Sequence, residues 1–174
     1  MRLVLAATGL LSMLLLGGCA GSWERLPAQR PEPAGRDPDA RPCFAESREP
    51  RAAALFRGVL FNGERQSWTT DEPELTCTLP EGGAWEAVLQ FDVPRETFGK
   101  TGPLSFEMSV EGQPLAGLRC PKPGSYEWRA AVPSELAQMG RKLTLRARIR
   151  PPFEASDDGQ HLGVLLTGGG FLRR

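Results

Sequence analysis

The chain has 174 residues, with 21 Lys+Arg against 21 Asp+Glu, one His, 20 Gly, 16 Pro and four Cys. Charges that cancel argue against nucleic acid or a polybasic membrane contact as a partner. With 40% hydrophobic residues the chain can fill one core, and its Gly and Pro content assigns much of the rest to turns and linkers, a balance that leans to all-β.

Met1 and Arg2 make a short positive start, and Leu3 to Leu16 is an apolar run shorter than the about 20 residues a membrane-spanning helix needs. Residues 1–18 read as a secretory signal peptide. The run ends in Leu16-Gly17-Gly18-Cys19, which resembles the bacterial lipobox, where small residues fit the peptidase and the following cysteine receives diacylglycerol. The resemblance implies cleavage before Cys19, a palmitate-bearing Cys19 as the first mature residue, and stable membrane anchoring, since each buried CH₂ contributes about 0.8 kcal/mol. In Gram-negative relatives an aspartate after the cysteine retains the protein at the inner membrane; Ala20 stands there instead and implies the outer membrane.

Residues 19–52 are rich in Pro, Arg, Ala, Asp and Glu, as in Pro31-Glu32-Pro33 and Asp37-Pro38-Asp39, with almost no apolar periodicity. That composition predicts an extended tether, rising about 3.1 Å per residue where polyproline II forms. The folded domain is expected over residues 53–174.

Within it, short runs alternate apolar and polar residues between Gly, Pro and Asp turns, the pattern of an antiparallel sandwich. Strands are expected near Gly58–Phe61 and Gln66–Thr70, followed by an inward row of Leu75, Cys77 and Leu79. Trp85–Pro94 places Ala87, Leu89, Phe91 and Val93 inward, and Leu104–Gly112 does the same with Phe106, Met108 and Val110. A turn at Gly112-Gln113-Pro114 leads to Leu115–Cys120, and Tyr126, Trp128, Ala130 and Val132 form the next row. Pro133-Ser134 offers a cap to a helical turn at Glu135–Met139, closed by Gly140. Lys142–Arg150 then turns Leu143, Leu145, Ala147 and Ile149 inward and Arg146, Arg148 and Arg150 outward. The last strand, His161–Thr167, is almost continuously apolar and is expected to be central. About eight strands suit a jelly roll.

Several short motifs recur in one order: Glu64-Arg65-Gln66-Ser67-Trp68-Thr69, Pro103, Val110-Glu111-Gly112, Tyr126, Val132-Pro133, Pro151-Pro152 and Asp158-Gly159-Gln160-His161-Leu162-Gly163-Val164. In that order they resemble the carbohydrate-binding-like, galactose-binding-like jelly-roll domain appended to bacterial glycosyltransferases and polysaccharide-assembly proteins. The likeness covers about Phe56 to Leu172. It departs at its exit motif, where Gln160 stands in place of the usual arginine.

Cys43, Cys77 and Cys120 remain besides Cys19, enough in an oxidising compartment for one disulfide with one thiol left over. Cys43–Cys120 is favoured because Cys77 reads as a small buried hydrophobe, with Cys77–Cys120 a close alternative. No Cys-x-x-Cys pair is present and there is one histidine, so no metal or cofactor is expected. His161 and the Asp157-Asp158 turn carry the only acid–base chemistry that stands out, and no nucleophile motif accompanies them. A saccharide site needs a flat ring for stacking and polar groups for hydroxyls. Trp85, at a loop–strand junction, is the ring expected to be exposed, with Asp158 and His161 as its polar companions; Trp128 reads as core, and Trp68 as a ring that could close the sandwich. The outward arginines either meet an acidic glycan or pair with an acidic row such as Glu107 and Glu111, the second being favoured. These features predict a non-enzymatic envelope lipoprotein that binds a carbohydrate or a polysaccharide-assembly partner, the alternative being a structural adaptor without a glycan site.

Overall fold

The computed structural model describes residues 43–61, 67–80, 83–137, 140–155 and 159–174. The signal peptide, Cys19, tether residues up to 42 and Asp158 lie outside the described residues. Ten strands run as β1 Phe44–Glu46, β2 Phe56–Leu60, β3 Ser67–Thr78, β4 Trp85–Val93, β5 Leu104–Val110, β6 Gln113–Cys120, β7 Gly124–Ala131, β8 Lys142–Arg150, β9 Phe153–Glu154 and β10 His161–Arg173, with two short helices, α1 Ala52–Leu55 and α2 Arg95–Thr101.

Every strand pairing is antiparallel, and the order β6-β5-β8-β3-β10-β4-β7 folds over on itself as a sandwich of the jelly-roll class. β3 belongs to both halves. Its residues 67–70 pair with β10 and 74–78 with β8, the change of partner falling around Pro73, which has no N–H to give a ladder. The longer strand replaces the two separate ones expected on either side of that proline.

Between the halves lie the rows that the alternation predicts: Leu75, Ala87, Leu89, Phe91, Val93, Phe106, Met108, Val110, Leu143, Leu145, Ala147 and Ile149 are buried. The Phe91 and Phe106 rings meet across the core at 4.6 Å. The edges approach each other as well, since the Trp128 indole N–H of β7 donates to the Ala116 carbonyl of β6 at 2.7 Å, satisfying a group that an open edge would expose.

β10 is central, as expected, but runs on past Thr167 through Gly168, Gly169 and Gly170 to Arg173. Those glycines let β1 lie against it: a Cβ on Gly170 would meet the Cys43 carbonyl oxygen at 2.0 Å. Residues 43–52, read from sequence as tether, thus belong to the folded domain. The expected helix near Glu135 is a single turn in its described part, with the Leu136 and Ala137 N–H groups both donating to the Pro133 carbonyl. So short a helix returns few hydrogen bonds for its nucleation cost. α2 has no counterpart among the expected elements; it is closed by Gly102 at φ 72°.

The disulfide joins Cys43 to Cys77, with Cα atoms 5.6 Å apart, and corrects the expected Cys43–Cys120 bridge. Cys120 ends β6 opposite Leu104 and is fully buried, whereas Cys43 precedes β1 with its Sγ 3.2 Å from the Thr78 carbonyl of β3. Bridging needs Cα atoms within about 7 Å, which the fold grants to the first pair. Burial pushes the free Cys120 thiol up to about 11.

Candidate functional site

The inward crevice between the halves, lined by residues such as Leu75, Leu89, Leu145 and Val164, has room for about 10 Å³, too little for a ligand. Among the described residues, larger depressions lie on the outer faces.

On the half formed by β8, β5 and the end of β3, the outward positions are charged and matched. Arg146 Nε donates to Glu74 at 2.8 Å, Arg148 Nε to Glu72 at 2.9 Å, and Arg150 bridges Asp71 at 2.9 Å and Glu72 at 3.3 Å. The arginine row is thus paired, as favoured from sequence, but mainly with β3; Glu107 reaches Arg148 only at 3.8 Å. Glu111 does something else. It takes a left-handed φ of 50° in the β5–β6 hairpin turn, and its carboxylate accepts the Thr144 N–H at 2.7 Å while its own N–H donates to the Thr144 carbonyl. That reciprocal pair offsets the backbone strain.

The other half presents a different surface. Residues opposite one another on antiparallel strands share a face, and the register aligns Leu60, Trp68, Leu165, Asp92 and Ser125 in one row across β2, β3, β10, β4 and β7. Their chain neighbours Thr69, Val164, Leu166, Phe91 and Val93 are buried, so the row points outward. Leu60 is 43% exposed, the most exposed large apolar side chain among the described residues. The Trp68 ring stacks with Phe153 at 6.2 Å and 20°, and the Lys100 ammonium lies 5.0 Å over the Phe153 ring. Beyond Leu165 the face becomes polar: an open depression of about 380 Å³ is lined by Gln90, Asp92, Ser125, Tyr126, Glu127 and Thr167. Glu127 accepts from Gln90 Nε2 at 2.7 Å and from Arg129 Nε at 2.6 Å, and these bonds, Arg129 first, hold its carboxyl below the usual range.

The expected site residues do not assemble. Trp85 is buried, 4% exposed, opposite Arg173 at the far end of β4, with its indole N–H unpaired. That corrects its reading as an exposed ring: Trp85 opens the inward row that continues through Ala87, Leu89, Phe91 and Val93, and its side chain joins the core. His161 is exposed and faces Glu154 at 3.9 Å, one residue from the Leu162–Phe153 pair and therefore on the other side of the strand from the Trp68 platform. Asp158 lies outside the described residues. Trp68 reads from sequence as a ring that could close the sandwich, while Phe153 and Lys100 carry no sequence signal, being placed by a two-residue strand and by α2.

No family model matches the chain, and no curated protein matches it. Among solved structures it is similar to an acetyl xylan esterase, Est2A, from the rumen bacterium Butyrivibrio proteoclasticus (12% identity, 75% of this chain and 33% of that one, TM-score 0.44). It is similar also to a family GH115 4-O-methyl-α-glucuronidase with specificity for decorated arabinogalactans (11% identity, 76% and 17% coverage, TM-score 0.43). A third is a family 35 carbohydrate-binding module from Clostridium thermocellum (6% identity, 69% and 92% coverage, TM-score 0.40). The chain spans less than a fifth of the glucuronidase's length and a third of the esterase's. No ligand, reaction or family follows from likeness of this degree.

Proposed function

We propose that this is a non-catalytic saccharide-binding domain of the bacterial cell envelope, held at the outer membrane through a lipid on Cys19. The observation that supports binding is the row Leu60–Trp68–Leu165–Asp92–Ser125, an aromatic and aliphatic platform that passes into a depression lined by hydroxyl, amide and carboxylate groups. Sugars need both: C–H faces rest on π-systems, and hydroxyls taken from water need replacement hydrogen bonds. Exposed Leu60 favours a second reading, an adaptor whose partner is an envelope protein. Titrating the detergent-solubilised full chain with saccharides, read by tryptophan fluorescence, separates the two. Binding weakened about tenfold in Trp68→Ala and kept in Trp85→Phe supports the saccharide reading; silence across envelope and exopolysaccharide sugars favours the adaptor. The anchoring half of the proposal rests on the N-terminal sequence. Labelled palmitate should enter the wild type and not Cys19→Ser, and label retained in that variant would refute it.

A further inference from the structure

Resting on that saccharide-binding reading, we infer that the outer face of β2, β3, β10, β4 and β7 takes an internal stretch of a neutral, linear glycan laid across the strands. Chain ends and single sugars are not its ligands. The row from Leu60 to Ser125 crosses five strands. At a strand spacing of about 4.8 Å, its four steps span about 19 Å, the reach of roughly three to four linked sugars, because a pyranose and its glycosidic link advance by about one strand spacing.

Among the described residues, neither end of the row meets a wall. At one, β2 pairs only with β3; at the other, β7 ends the strand order and its Ser125 is exposed. A site for a chain end would need a wall to stop against, and the depression beside Asp92 is open instead. The platform is laid out for successive units: Leu60, Trp68 and Leu165 offer apolar surface to the first ring faces, and Asp92, Ser125, Thr167 and Gln90 offer hydrogen bonds to the hydroxyls of the next.

Charge complementarity selects among glycans. The polar stretch holds two carboxylates, Asp92 and Glu127, and Glu127 is kept ionised by Arg129 and Gln90. Arg129 is itself taken up by Glu127 and Glu86, so an anionic polymer would meet like charge there.

The test is affinity against chain length, measured on the detergent-solubilised full chain by tryptophan fluorescence, with neutral gluco-, manno- and galacto-oligosaccharides of one to six units and a uronate series. Kd should fall about tenfold from two to four units and then level off. Ser125→Glu, at an exposed edge position, should remove the gain beyond two units while leaving disaccharide affinity intact. A monosaccharide that binds as tightly as a tetrasaccharide overturns the chain-spanning inference and leaves saccharide binding standing. Tighter binding of the uronates overturns the neutral assignment. Absence of binding in every series overturns the saccharide reading and this inference with it.

Discussion

On the half of the sandwich that holds β8, the outward arginines of that strand each have a carboxylate of β3 beside them; on the half that holds β10, the outward row begins with exposed Leu60 and a tryptophan and ends in polar groups around an open depression. Both faces arise from the same two-residue alternation over the same core. The contrast shows that alternation decides only which side chains leave the core, and that the neighbouring strand decides whether they are then used up by each other. An arginine already held by a carboxylate must give up that ion pair before it can serve a ligand.

Removing the layer beneath both faces should have the largest effect. Phe91 is 1% exposed and stacks with Phe106 on one side and Tyr126 on the other, so Phe91→Ala should cost about 3–5 kcal/mol in urea unfolding. A loss below about 1 kcal/mol would contradict the shared core. Next comes the bridge: Cys43→Ser should cost about 3 kcal/mol, whereas Cys120→Ser leaves the disulfide in place, and denatured wild-type mature chain should show one reactive thiol besides any at Cys19.

The comparison itself is sharpened by two surface variants. Trp68→Ala should lower saccharide affinity about tenfold with a modest stability change, and Arg148→Ala should cost under about 1 kcal/mol of stability and leave saccharide affinity unchanged. Equal loss of binding in both would mean the faces are not distinct. The smallest effect is on pH dependence. The Cys120 thiol is raised from 9.0 to about 11 by burial, so the unfolded chain gives up its proton first. Stability from this group is intact below pH 9 and declines as pH rises from there towards 11. Cys120→Ala should flatten that decline.

The inward rows were legible because burial on one face of a strand leaves a period of two, and Phe91, Met108 and Leu145 all stand where that period puts them. What could not be read depends on contacts far apart in sequence. Gly168–Gly170 looks like the end of a strand, yet those residues are small because β1 must approach them. Phe153 follows two prolines in a strand of two residues, too short to show any period, although it completes the stack with Trp68. Cys77 fits an inward alternation, and only the position of β1 shows that its partner is Cys43.

The Cys43–Cys77 bond also decides how the domain meets a mechanical pull. Tension along the chain from the residues before Cys43 reaches the bond before it can peel β1 from β10, and is passed directly to β3, the strand common to both halves. The load is then shared by the ladders of β3 with β8, β10 and β2, in place of the three-residue pairing of β1 alone. Stretched from its N-terminal side, the oxidised domain should yield at a higher force than the reduced one.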